Sequence, residues 1–409
     1  MTGRLEQSVR RRHTGPVVWF GIRAEDAQGV WWDGIDLRTV AFLGAADQSL
    51  ETATGERVNP DLYELDDDPS EAAAWLIDQA IDLADGGVIV AYRPSKRLHQ
   101  RAGAAGIAIT AMNPVTQRRF ENKLWVEQRM SELGLPTLGW RTVEVPSVES
   151  DDGPVVVRGP GGGGGTGMHL APTIRSVPSG SVVSTYLDDA LSVNLTGCCF
   201  PDGSVSVHLA TLQLIGITEC TDLDFGYCGN DAAALATTVE SGQLDELQTL
   251  VRRVGSWLHQ SAGWLGVFGV DALLTDHSAV FCEVNPRFQG SSNLVSAAAR
   301  REGRPGLHVE HLAAFLGFTP GDEQLGGPDT ADDAQVVFHN TTGSPVLAET
   351  GRWHDDDAIE LLPPAGTTVA PGAPIARWRG RGPVTTDGRT LVRDPRGLAD
   401  GSCRQENHR

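Results

Sequence analysis

The chain's 409 residues suffice for two to three domains at about 150 residues each. A composition of 40% apolar and 21% charged residues excludes a disordered or membrane-embedded chain. Its net charge of −20, from 53 acidic against 33 basic residues, opposes non-specific binding to nucleic acid or anionic lipid.

From Pro16 to Pro114, short apolar runs alternate with helical stretches. Val17–Ile22, Thr39–Leu43 and Gly87–Tyr92 read as strands. Glu71–Leu83, with Ala72, Trp75, Leu76, Ala80 and Leu83 at helical spacing, reads as an amphipathic helix. The pattern predicts an α/β domain with a largely parallel sheet. Arg10–Arg12 before an apolar run could suggest a signal peptide, but that run is short and cut off by Arg23, so it reads as a buried strand. No transmembrane stretch is present. Six cysteines (Cys198, Cys199, Cys220, Cys228, Cys282, Cys403) without a CxxC pair read as reduced, buried thiols of a cytoplasmic protein.

A helix is expected from Gln117 to Leu133, stopped by Gly134-Leu135-Pro136. Strands follow at Leu138–Val145 and Val155–Arg158, the latter running into Gly-Pro-Gly-Gly-Gly-Gly-Gly-Thr-Gly at 159–167. Further strands are read at Ser181–Leu187, Ser192–Phe200 and Val205–Ile215. The segment Thr218–Asn230 is too irregular for a plain strand and reads as a loop, over an acceptor site or simply at the surface. Beyond it come a helix at Leu244–Gln260, strands Gly266–Leu274 and Ala279–Val284, and helices Asn293–Arg301 and His308–Leu316. His308 and His311 share one helix face but lack a third ligand motif, so they read as surface histidines. From Thr319 the composition turns to Asp, Gly and Pro with short β-like runs, taken as a small separate module.

Glycine is the outlying count: 48 residues, about 12% where about 7% is usual. The run at 159–167 contains a formal GxGxxG, but Pro172 forbids the long helix that a dinucleotide fold needs, and no Lys-Ser/Thr follows as in a Walker loop. Fused to a strand that ends in Arg158, it reads as a flap whose backbone N–H groups can close over phosphates, rather than as a tether.

The second constellation is Gly269-Val270-Asp271 with Glu283-Val284-Asn285-Pro286-Arg287. The spacing 283 − 271 = 12, in a hairpin turning near Asp276–Ser278, places both carboxylates together on one face, with Asn285 facing the same way. Two carboxylates and an amide oxygen form a hard-oxygen set suited to Mg²⁺ shared with triphosphate oxygens, and Arg287 adds a cation.

In this order, the two constellations resemble the ATP-grasp superfamily over Asn113–Gly317. The resemblance implies that Lys123, at the start of the first helix, contacts nucleotide phosphate. Arg158 stands where the family carries a second phosphate lysine, and Gly162, Gly163, Gly164 and Gly165 form the flap. The block Val182–Asp189 resembles the hinge that pairs with adenine through Tyr186 and Leu187, with Asp189 as ribose ligand. Asp271, Glu283 and Asn285 match the magnesium ligands. Ser184 and Thr185 replace the usual hinge acids, and Gly269 replaces an arginine found in some members, leaving Arg287 as the catalytic anion stabiliser.

What the resemblance implies is an α/β (α+β) protein. Residues 1–113 form an N-terminal α/β domain, 114–187 the lobe with the flap, 188–318 the lobe with the metal site and 319–409 a β-rich module. The implied chemistry uses ATP and Mg²⁺ to join a carboxylate to an amine through an acyl phosphate. The chain is loosely similar to the peptide ligases of the pheganomycin type, which implies amino-acid or peptide substrates; a homodimer is the assembly considered, and the net charge argues against a nucleic-acid or membrane partner. The alternative is a nucleotide-binding regulator that keeps the fold without catalysis.

Overall fold

The computed structural model describes residues 4–32, 34–51, 56–57, 71–93, 95–143, 153–158, 165, 167–320, 325–349 and 359–392. It opens with helix α1 (Arg4–Arg12), absent from the sequence reading, whose Leu5 and Val9 are buried. Its three terminal arginines oppose the helix's negative end, and Arg12 Nη1 donates to the Leu316 carbonyl.

Strands β1 (Val17–Arg23), β2 (Leu37–Leu43) and β3 (Gln48–Ser49) come next. The short β4 (Glu56–Arg57) lies outside the first sheet, which β5 (Val88–Ala91) and β6 (Ala108–Thr110) complete. The order is β3-β2-β1-β5-β6, and every pairing is parallel. A parallel sheet needs cover on both faces. Val18, Phe20, Val40 and Ile89 pack on helices α2 (Glu71–Ala84) and α3 (Lys96–Ala105). Val17, Trp19, Val88 and Val90 face the rest of the molecule.

The helix expected at 117–133 is two helices, α4 (Pro114–Glu121) and α5 (Lys123–Glu132). Asn122 separates them: its backbone is extended, and its side chain accepts from Trp125 N, which starts α5 afresh. The small lobe is a four-stranded antiparallel sheet of order β7-β10-β8-β9. Its strands are β7 (Arg141–Thr142), β8 (Val155–Arg158), β9 (Met168–Ala171) and β10 (Val182–Thr185). The strand expected at 138–145 shrinks to β7 among the described residues, while β9 occupies the segment before Pro172.

The large sheet contains β11 (Leu191–Cys199), β12 (Val205–Val207), β13 (Thr211–Ile215), β14 (Tyr227–Asp231), β15 (Gly266–Leu274) and β16 (Ala279–Asn285). The run read as one strand at 205–215 breaks at His208, whose ring Nε2 lies 3.0 Å from buried Glu310. Helix α6 (Ala232–Thr238), capped by Asp231, precedes α7 (Ser241–Ala262), whose Leu247, Val251, Val254 and Leu258 enter the main core with Phe268 and Val270. Helices α8 (Ser292–Arg301) and α9 (Leu307–Phe315) fill the space between the two large sheets.

Burial corrects the reading of His308 and His311, which are both core residues on α9, 0% and 4% exposed. His308 stacks on Phe288, and His311 accepts from Val267 N. Burial depresses both imidazoles, His311 to about 4, so they are neutral packing groups.

Beyond residue 319, β17 (Asp333–His339), β18 (Val346–Leu347), β19 (Ile359–Leu361), β20 (Thr368–Val369) and β21 (Pro374–Arg381) supply the expected β character. They do not stand apart: β17 pairs with β14, β21 with β17 and β19 with β21. The large sheet therefore runs β16-β15-β11-β13-β14-β17-β21-β19, with β12 on β11. Leu214, Ile217 and Cys228 need the cover that Val336, Phe338 and Trp378 provide. A small sheet, β18-β20-β4, ties this region back to the N-terminal part. Cys198, Cys199, Cys220, Cys228 and Cys282 are free thiols, and Cys403 lies outside the described residues.

Candidate active site

The site forms where β16, the outer strand of the large sheet, meets α5 and β8. Asp271 and Glu283 are direct cross-strand partners, and Asn285 stands opposite Gly269. The pairing depends on a bulge. Leu274 pairs with Ala279, Leu273 with Val280 and Ala272 with Phe281, which would put Cys282 opposite Asp271. Cys282 is instead the extra residue, so the register advances and Glu283 comes round to Asp271's face.

Two cations meet Glu283, and a third stands beside them on Asn285. Lys123, the first residue of α5, forms an ion pair with Glu283. Arg158, at the end of β8, places Nη1 at 3.5 Å from Glu283 Oε2. Arg287 donates to Asn285 Oδ1 at 3.3 Å, and is held by Nη1 bonds to the Phe288 carbonyl and the Tyr92 hydroxyl. Burial lowers the Arg158 pKa, and it raises Asp271 despite hydrogen bonds from Asn194 and Asn285 and the charge of Arg287. The same burial, with Asp271 nearby, pushes the Cys282 thiol up to about 12.

The interval between the acids suits a cation. Asn285 Nδ2 bridges it, 2.8 Å from Asp271 Oδ2 and 3.2 Å from Glu283 Oε1, so an atom of positive polarity already sits between two carboxylates. Among the described residues no three His, Cys, Asp or Glu side chains gather as a metal group. A magnesium ion here would use Asp271 and Glu283, with the Asn285 amide turned so that its oxygen, which now accepts from Arg287, replaces Nδ2 between them.

Sequence reasoning missed the support behind Asp271. Asn194, opposite it on β11, donates from Nδ2 to Asp271 Oδ1 at 2.6 Å, and its own oxygen accepts from Ser291. Gln213 on β13 donates to the same carboxylate oxygen at 3.2 Å. Gln289 occupies the space above Gly269, where any Cβ would collide with its amide. A side chain at 269 would require the Gln289 amide to turn away from this pose. Only alternation along β11 and β13 could have hinted at Asn194 and Gln213, because their partner lies on a distant strand.

Gly162, Gly163 and Gly164 lie outside the described residues. Gly165 is described, with φ +89, packed so closely on the Phe225 carbonyl that a Cβ has no room. The segment after Ile217 is thus a loop, as read, and it meets the end of the glycine run; Tyr227–Asp231 is strand β14. Tyr186 and Leu187 follow β10 and pack in one apolar cluster with Trp140, Met168, Phe225 and Leu273. Asp189 is exposed. Its neighbour Asp188 lies 3.4 Å from Arg389, whose guanidinium also stands over the Tyr186 ring, a contact across about 200 residues that no local pattern announces.

Residues 120–291 match the ATP-grasp domain family. A search of curated proteins found no match to the sequence. Among solved structures, the chain resembles the biotin carboxylase domain of Hydrogenobacter thermophilus 2-oxoglutarate carboxylase, solved with MgADP and bicarbonate. The two share 13% identity at a TM-score of 0.63, over 90% of this chain and 86% of that one. It also resembles Thermus thermophilus N5-carboxyaminoimidazole ribonucleotide synthetase, at 13% identity and a TM-score of 0.57, over 89% and 93%. Against Rhizobium etli pyruvate carboxylase, at 16% identity and a TM-score of 0.61, it covers 91% of its own length but 36% of that chain. At these identities the likeness is one of fold. No described helix is long and apolar enough to cross a membrane. The chain carries an ATP-grasp domain and has the ATP-grasp fold.

Proposed function

We propose that this protein is an ATP-dependent ligase that joins a carboxylate to an amine through an acyl phosphate and releases ADP and phosphate. The observation that carries the reading is the meeting of Lys123 and Arg158 on Glu283, the cross-strand partner of Asp271, with Arg287 beside them on Asn285. In an acidic protein, such a local concentration of positive charge is what a triphosphate requires.

In this scheme Lys123 and Arg158, now resting on Glu283, turn to phosphate oxygens when ATP enters. Magnesium held by Asp271, Glu283 and Asn285 would offset charge on the β- and γ-phosphates. A substrate carboxylate oxygen attacks the γ-phosphorus, and the bond to the ADP oxygen breaks. The amine lone pair then attacks the acyl carbon, phosphate leaves with its electron pair, and the amine gives up a proton. Arg287, fixed by Tyr92 and Phe288, stabilises the oxyanion of the second step. The glycine run, whose Gly165 packs on the Phe225 carbonyl, would exclude water that hydrolyses the acyl phosphate.

The similarity to pheganomycin-type ligases supports amino acids or peptides as substrates and a role in peptide natural-product biosynthesis. A cytoplasmic homodimer is the proposed assembly. Incubation with ATP, Mg²⁺ and pooled amino acids, with ADP and phosphate assayed, tests the reaction. Substrate-dependent ADP and phosphate are expected. AMP and pyrophosphate would sink the acyl-phosphate route, and tight ATP binding without turnover would identify a regulator instead.

A further inference from the structure

After β21 the chain forms a tight hairpin at 384–392, where Thr385 bridges to Leu391 and Val392 N donates to the Val384 carbonyl at 2.9 Å. Asp387 closes its turn, one carboxylate oxygen accepting from Arg389 N at 2.8 Å and from Thr390 N at 2.9 Å. The hairpin is fixed to the large sheet. Asp231 Oδ2 accepts from Val384 N at 2.7 Å and from Thr385 N at 3.2 Å, and the Gly388 carbonyl accepts from Ile215 N at 2.9 Å. Gly388 also lies against the carbonyl of Gln213, whose side chain donates to Asp271.

What this hairpin presents is Arg389. Its Nη1 donates to Asp188 Oδ1 at 3.4 Å, and its guanidinium carbon stands 5.9 Å from the centre of the Tyr186 ring. An ion pair between exposed side chains ordinarily contributes little, because two mobile chains must be held in one geometry. Here the backbone that carries the guanidinium is already held by the bonds just given, and the Tyr186 ring supplies a second contact.

Tyr186 and Asp188 lie on the connection between the small lobe and the large sheet. Val182 on β10 pairs with Arg158, and the ladder continues to Tyr186, whose N–H donates to the Pro154 carbonyl at 3.2 Å. Tyr186 is four residues beyond Val182, roughly 13 Å at the usual strand rise, an interval that an extended nucleoside triphosphate can span. A nucleotide whose phosphates rest on Lys123 and Arg158 therefore brings its sugar and base to 186–189. Two adjacent carboxylates, Asp188 and Asp189, meet that polyanion there, and Arg389 offsets one of them. The Asp188 side chain is 78% exposed, so an oxygen is left to accept from a sugar hydroxyl while Arg389 fixes the group.

We propose that hairpin 384–392 is part of the nucleotide site, with Arg389 a positioning residue that holds Asp188, rather than its neighbour Asp189, to accept from the ribose hydroxyls. The proposal rests on the nucleotide reading of the site given above.

Calorimetric titration with Mg²⁺ and β,γ-imido-ATP reads affinity without turnover. Arg389→Gln should weaken binding about fivefold, the loss of one charge pair and one ring contact. Arg389→Lys should lose less, since an ammonium keeps the charge at Asp188 but not the flat face on Tyr186. Asp188→Asn should cost as much as Arg389→Gln, and the double variant no more than either, the coupling that a shared contact requires. The 2′,3′-dideoxy form of the same analogue should bind the wild type more weakly and show no further loss in the variants. A merely structural role would weaken both nucleotides alike. Thermal melts without nucleotide show that each variant is folded. Affinity unmoved by Arg389→Gln, additive losses, or equal losses for both nucleotides would overturn the proposal and leave the nucleotide site standing. No binding of β,γ-imido-ATP by the wild-type protein would overturn both.

Discussion

At the scale of single residues, Glu283 is where the cations of the site meet, since it faces Asp271, Lys123, Arg158 and Asn285 together. Glu283→Gln keeps its volume but removes the charge that organises the cations. ADP release should fall by about 10²-fold or more, the cost of deleting one electrostatic contact in a reacting centre. An unchanged circular dichroism spectrum should accompany the loss, and full activity would show that the metal site lies elsewhere. A second residue-scale effect concerns Asp26. Burial, with Glu25 beside it, raises its carboxyl from 3.8 to about 6, against the pull of Arg377 and Arg23. The folded protein therefore binds this proton more tightly than the unfolded chain. The contribution to stability is full below the unfolded pKa and is lost as pH rises through about 6. Asp26→Asn escapes that loss. Relative to wild type, its stability in urea denaturation should improve between pH 4 and pH 7 by up to about 3 kcal/mol.

The next scale is that of elements, where much was legible. Gly266–Leu274 is the strand that was read, to the residue, because its ends are set by a Gly turn and by Thr275, whose hydroxyl accepts from Ser278 N. The split of α4 from α5 was missed although Asn122 lies in plain sight, because apolar spacing continues across it and only the cap breaks the helix. Helix α3 was missed for the opposite reason. Its caps, Ser95 and Gly106, are strong, but it buries little besides Leu98 and Ala102. The glycine run makes its own prediction at this scale. Gly165→Ala forces a Cβ toward the Phe225 carbonyl from a left-handed backbone, which alone costs about 1–2 kcal/mol. Steady-state kinetics should show kcat/KM for ATP reduced about tenfold, with the melting temperature little changed.

For the whole molecule, the decisive feature is that residues 333–381 complete the large sheet. Composition marks this region as different, and the difference is real, but strand pairing joins it to β14. A chain ended at residue 330 would leave β14 an open edge and expose Leu214, Ile217 and Cys228. Such a chain should be insoluble or aggregated by size-exclusion chromatography, whereas a separable module would leave a monodisperse remainder.

The sequence by itself determined which residue types the site would draw on. Spacing on a hairpin picked out Asp271, Glu283, Asn285 and Arg287 as a hard-oxygen set with a cation, and the resemblance to the ATP-grasp superfamily pointed to Lys123 and Arg158. It also determined the alternation of strands and helices, since apolar periodicity is local. Tertiary structure alone decided how these pieces face one another. A plain hairpin closing at Thr275–Ser278 would have turned Glu283 to the opposite face from Asp271, and only the bulge at Cys282 brings the two together. Asn194, Gln213 and Arg389 likewise reach the site across strands far apart in sequence. Register and long-range pairing are properties of the closed sheet, so no window of sequence contains them.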